Sequence, residues 1–185
     1  MFPAQYRDEL VRALHAIDAE KVQQAIDWMR EARDAGGTIY TAGNGGSAAT
    51  ASHFVCDMVK GASYKRAKRF KMMALVDNMA TLTAYANDVH YNEVFAEQLQ
   101  NFAQPGDIFM AISGSGNSPN VLRAMEVANA AGCKTIALTG RDGGKLGPMA
   151  QLEINVGVPH MGRIEDGHHI VCHMICYSFI DNEKQ

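Results

Sequence analysis

TIYTAGNGGSAATASHF, residues 38–54, sets the fold class almost by itself. A β-branched and aromatic run, Thr38 to Thr41, stops at GNGGS (Gly43 to Ser47) and passes into a helix-compatible stretch that continues through Lys60. β-Branched and aromatic residues suit a pleated strand, and Gly with Asn permits the sharp turn from which a helix can start. The unit is strand, glycine loop, helix. Upstream, Leu10, Leu14, Ile17, Val22, Ala25, Ile26 and Met29 recur near 3.6-residue spacing with charged residues between them, which predicts a helical hairpin over about 4–35.

Downstream the unit recurs. FKMMALV (70–76) reads as a strand, with helical stretches around 78–86 and 92–102 after it. DIFMAIS (107–113) is an apolar strand closed by SGSGNS, and a helix follows from Pro119 to Ala131. CKTIALT (133–139), the loop GRDGGKLG, the short strand LEINV (152–156) and an apolar helix from Ile164 to Ile180 complete the chain. Strands that are apolar throughout and separated by helices predict a parallel sheet covered on both faces. The expected architecture is a three-layer α/β/α domain over 1–185 with five parallel strands, its core about 36–185. No fixed-period repeat is present.

Composition narrows the function classes. At 185 residues, 47% hydrophobic and 20% charged, the chain can build a core of ordinary domain size. The net charge of −3 supplies no basic field, which argues against a dedicated nucleic-acid binder. No run approaches the roughly 18 apolar residues of a membrane span, and the first residues alternate charge with apolar groups, so a cytoplasmic protein is expected. Four cysteines without a CxxC predict reduced thiols.

Two loops share one design. GNGGS and SGSGNS (Ser113 to Ser118) each follow a strand and open a helix, so glycines admit a ligand close to the backbone while helix N-terminal amides and serine hydroxyls face it. Such loops lie at the carboxyl ends of the strands, where ligands bind in open parallel sheets. Tight turns with Ser or Asn as helix caps explain either loop alone; two matching loops favour anion binding. Neither is a Walker motif or a GxGxxG, so no nucleotide cofactor is expected. His53 and Asp57, four apart, share a helix face, a spacing suited to metal ligands or to a base and its partner. The terminal helix carries Glu165, Asp166, His168, His169 and His173. Four-residue spacing pairs His169 with His173, or Glu165 with His169; Glu165 and His173 are about 12 Å apart along an ideal axis, a pair that needs long reach or a frayed first turn.

The order and spacing of these motifs resemble the sugar isomerase (SIS) superfamily of phosphosugar-binding domains, a flavodoxin-like fold, and within it the phosphoheptose isomerases. The resemblance rests on GNGGS with His53 six residues after Ser47, AND at 86–88 with a downstream VF, ISGSGNS at 112–118, ALTGRDGGKL at 137–146 and RIEDGHHIVCH at 163–173. It implies a phosphosugar substrate whose phosphate is held by Gly45, Ser47, Ser113, Gly114, Ser115 and Ser118, with Asn44 and Asp88 on sugar hydroxyls. It implies one Zn²⁺ per subunit on His53, Asp57, Glu165 and His173. It also implies enediol chemistry with Asp57 or Glu165 as base and His173 as acid, in heptose supply for lipopolysaccharide or capsule. Three positions depart from the family pattern: Asp57 stands for Glu, Glu165 for Gln and Gly114 for Thr. The family further implies a homo-oligomer, a tetramer. The terminal helix, apolar nearly all round, and the hairpin are surfaces such an assembly would bury, with the His173 helix of one subunit completing the His53 site of another; the alternative is a monomer whose hairpin packs on its own terminal helix. A non-catalytic phosphosugar sensor or adaptor, or an isomerase of another phosphosugar, is the alternative; the sensor predicts loss of the acid–base residues, which are all present.

Overall fold

The structure, a computed structural model, describes residues 1–182. Helices α1 (Phe2–His15) and α2 (Ala19–Ala35) form the hairpin. Asp18 starts α2 by accepting hydrogen bonds from the amides of Glu20 and Lys21 at 3.0 and 3.2 Å, which satisfies donors that have no intrahelical partner. Gly36 ends it in the left-handed conformation, φ 77°.

Strand β1 (Thr38–Gly43) leads into α3 (Gly46–Cys56), and then come β2 (Lys71–Ala74), α4 (Met79–Asp88), α5 (Ala96–Phe102), β3 (Ile108–Ser113), α6 (Pro119–Ala130), β4 (Lys134–Gly140), β5 (Leu152–Val156) and α7 (Met161–Asn182). All five strands are parallel, in the order β2-β1-β3-β4-β5. Alternation in β3 shows how both faces are filled. Ile108, Met110 and Ile112 pack with α2, α3 and α7, while Phe109 and Ala111 pack with α5 and α6. The expected three-layer architecture is therefore present.

Two details differ from the sequence reading. The strand expected over 70–76 is paired only over Lys71–Ala74 and is half exposed, because β2 is the sheet edge and has one neighbour instead of two. The apolar terminal helix is covered by its own chain's hairpin: Tyr6 donates to Asp166 at 2.6 Å, Arg163 pairs with Glu9, and the Arg30 and Arg33 guanidiniums lie 5.5 Å from the Phe179 ring. Met174 and Tyr177 stay exposed on its outer side.

The strand order places the site. The chain leaves β1 toward β2 on one side and returns to β3 on the other, so the loops after β1 and β3 diverge and open a crevice at the carboxyl ends of the strands.

Candidate active site

Both glycine loops meet at that crevice. After β1 the chain turns through Gly45, whose φ of 55° is costly for any residue with a Cβ, and α3 begins. Asn44 is held rigidly at the turn. Its amide group exchanges hydrogen bonds with buried Asn120 at 2.8 and 2.9 Å, and the Tyr91 hydroxyl donates to its Oδ1 at 3.0 Å. After β3, the Ser113 and Ser118 hydroxyl oxygens lie 3.5 Å apart, and α6 starts at Pro119, which lacks an amide hydrogen.

The crevice encloses about 280 Å³. Asn44, Gly45, Ser47, Ser113, Gly114, Ser115 and Ser118 line it together with Glu165 and Met161, and among the described residues no Lys or Arg does. An anion bound here would be held by hydroxyls, backbone amides and the N-terminal end of α3.

Glu165 reaches the crevice because α7 lies against α3. A Cβ on Gly46 would sit 2.7 Å from Glu165 Oε1 and 2.9 Å from Oε2, so the glycine leaves room for the carboxylate. The departure at Gly114 has a similar cause: a Cβ there would lie 2.6 Å from Met161 Sδ, which occupies the space a threonine would need. Asp88 lies elsewhere. It is exposed at the end of α4, accepts from Asn87 at 2.7 Å and is not part of the crevice wall.

Further along the same pair of helices the histidines gather. α3 and α7 run side by side in the same direction, with Glu165 against Gly46 and His173 against His53. His173 Nε2 is 3.3 Å from His53 Nε2, and Asp57 Oδ2 is 3.1 Å from the first-helix imidazole and 3.4 Å from the second. Asp57 opens a single π-helical turn, Asp57–Gly61, that widens the end of α3. The expectation that a second subunit's helix completes the His53 site is corrected here, since both helices belong to one chain. Neither long reach nor a frayed turn brings Glu165 to His173: the helix is continuous from Met161, and the carboxylate stays with Gly46.

His169 is the residue the sequence reading left unassigned. Its ring centroid lies 4.6 Å from that of His53 and 4.7 Å from that of His173, and one nitrogen from each of the three rings falls within 4.8 Å of the others. Burial lowers the His169 pKa first, and the neighbouring His53 and His173 charges lower it further. Its spacing of four from His173 was the available signal. His168, one residue earlier, turns about 100° away and into the core, where Nε2 donates to the Thr139 carbonyl at 2.8 Å. Burial pushes its pKa down to about 4, so it stays neutral.

The SIS domain family model matches residues 5–140, a span that takes in the first four strands and both serine-glycine loops at the switch point. The chain belongs to the SIS domain family. Within it, the chain belongs with the phosphoheptose isomerases. It is 39% identical over 168 residues to the phosphoheptose isomerase of Citrifermentans bemidjiense, covering 91% of this chain and 87% of that one. The solved phosphoheptose isomerase from Neisseria gonorrhoeae superposes with a TM-score of 0.88 at 35% identity, over 95% of each chain. That from Francisella tularensis gives 0.88 at 28% identity, over 97% of this chain and 96% of that one.

Proposed function

We propose that the protein is an aldose–ketose isomerase that converts sedoheptulose 7-phosphate to D-glycero-D-manno-heptose 7-phosphate through an enediol. The single observation that carries the site assignment is that a carboxylate, Glu165, shares one crevice with the serine cradle. The cradle anchors the phosphate through Ser47, Ser113, Ser115 and Ser118, with Gly45 and Gly114 admitting it close to the backbone. Anchoring the far end of the sugar positions the reacting carbons. Asn44, clamped by Asn120 and Tyr91, presents its amide to a sugar hydroxyl.

Glu165 takes the proton from C1, whose electron pair becomes the C1–C2 double bond as the C2 oxygen gains a proton from Nδ1 of His173, the ring nitrogen that is not turned to His53 and Asp57. The enediol collapses when the O1 proton passes to His173 and Glu165 returns its proton to C2. Every proton is accounted for, and both residues end as they began. Asp57, with its carboxylate between His53 and His173, is better placed as a metal ligand than as the base.

The donor set fits zinc. Ligands about 2.0–2.1 Å from a tetrahedral Zn²⁺ are about 3.3–3.4 Å from one another. His53, His173 and Asp57 already stand 3.1, 3.3 and 3.4 Å apart, one face of such a tetrahedron. When bound, the ion would polarise the sugar oxygens and stabilise the developing negative charge.

The reading includes a cytoplasmic homotetramer, in which the exposed Met174 and Tyr177 of α7 and the outer face of the hairpin are covered. No helix among the described residues is long and apolar enough to cross a membrane. The test is proton NMR of purified, zinc-supplied protein with sedoheptulose 7-phosphate and a panel of other ketose phosphates. Aldose formation from the heptulose above all others is expected. Turnover of a different ketose phosphate, or of none, would overturn the assignment.

A further inference from the structure

Three imidazoles stand around one carboxylate at the junction of α3 and α7. One ring nitrogen each from His53, His169 and His173 lies within 4.8 Å of the other two, a grouping that can hold a metal ion. The ring nitrogens of His53 and His173 are 3.3 Å apart, so at most one donates to the other. His53, His173 and Asp57 supply three vertices at tetrahedral edge lengths. His169 brings a nitrogen within 4.8 Å of the nitrogens of both other rings, and its side chain is only partly buried, free to close the remaining distance.

Glu165 is placed differently. It precedes His169 by four residues, about one turn, and its carboxylate lies against Gly46, which is seven residues, about 10 Å, from His53 along α3. Drawing it onto the metal would remove it from the crevice that the serine cradle forms.

We propose that His169 is the fourth ligand of a zinc site made with His53, Asp57 and His173, and that Glu165 stays off the metal. The consequence is a division of labour along one helix: Glu165 faces the reacting carbons, and His169 and His173 hold the ion. The role given to Glu165 rests on the isomerase reading; the ligand set does not. One methylene is missing at Asp57 relative to the glutamate of the resembling family, and three imidazoles with one short carboxylate make a complete four-coordinate set.

The experiment strips metal from the full-length protein, then titrates Zn²⁺ in competition with a chromophoric zinc chelator and records the visible spectrum of the Co²⁺ form. The wild type is expected to take up one equivalent and to give the intense visible bands of tetrahedral Co²⁺. Removing groups that only support a ligand costs about 10–100-fold in metal affinity, so His169→Leu and His169→Asn should each weaken zinc by about 100-fold or more. Glu165→Ala, which leaves no ligating oxygen at that position, should stay within about threefold of wild type. Unchanged affinity in the His169 variants, loss of affinity in Glu165→Ala, or no zinc uptake by the wild type overturns the proposal. Should both His169 variants fail to fold, ¹⁵N spectra of the wild-type imidazoles decide, since an unmoved His169 resonance on zinc addition overturns it equally. Turnover of sedoheptulose 7-phosphate is measured separately; its absence would end the isomerase reading and leave the ligand result standing.

Discussion

Gly46→Ala should separate catalysis from stability. The new methyl group would sit 2.7 Å from Glu165 Oε1, whereas ordinary contact begins at 3.4 Å, so the carboxylate must retreat by about 0.7 Å. The obstacle is the end of a flexible side chain, and Gly46 has an ordinary helical backbone at the first turn of α3, so the fold is not strained. Alanine is favoured over glycine by up to about 1 kcal/mol inside a helix, and somewhat less at its first residue, so the melting temperature should hold or rise. A displacement approaching 1 Å in a reacting group can cost about 100-fold in rate, about 2.7 kcal/mol. We therefore expect kcat to fall by about 100-fold while KM changes by less than about threefold, because the three atoms nearest the added methyl all belong to Glu165 and none to the serine hydroxyls of the cradle. Steady-state kinetics with NMR detection measure both. The cause is checked by a cycle with Glu165→Gln: adding Gly46→Ala to that variant should cost little further, because the displaced group has already been disabled. A kcat within threefold of wild type, or full additivity in the cycle, would refute the assignment of Glu165 as the base that Gly46 accommodates.

Ser113→Ala and Ser118→Ala each remove a hydroxyl from the cradle, and a hydrogen bond to a charged group is worth about 1.5–3 kcal/mol; calorimetry should show sugar-phosphate affinity reduced by about 10- to 150-fold, and unchanged affinity in both would exclude this loop as the anchor. His168 is buried with a pKa near 4 against 6.5 when unfolded, so between those values the unfolded chain binds a proton the folded chain does not, and stability falls as pH drops. From pH 8 to pH 5 this amounts to about 2 kcal/mol; urea midpoints of His168→Gln should show a correspondingly weaker pH dependence, and an equal one would refute the buried neutral ring. Gly114→Thr should lower stability by colliding with Met161 Sδ, and Met161→Ala in the same chain should restore it; thermal melts that show no rescue would place the clash elsewhere. Light scattering should give a mass near four chains, and full activity in a particle of one chain, 20.1 kDa, would remove the tetramer from the reading.

How far the sequence reaches depends on the range of the interaction. Strand and helix identities follow from residue type and period, which act over a few residues, so β1, β3, β4 and the two glycine loops are legible in TIYTAGNGGS, DIFMAISGSGNS and CKTIALTG. The cradle is legible for the same reason, since a strand end, a glycine turn and a helix start are consecutive in the chain. Four-residue spacing likewise puts His53 with Asp57 and His169 with His173 before any tertiary contact is known. Which helix faces which is another matter. Sheet order sets β1 beside β3 and lays α7 along α3, and only then does Glu165 meet Gly46 while His169 and His173 meet His53. The same long-range packing made β2 an edge strand, covered α7 with its own hairpin and left Asp88 outside the crevice. Local periodicity says which side chains share a face; only the packing of distant segments says what that face meets, because that choice is made by burying apolar surface across the whole sheet.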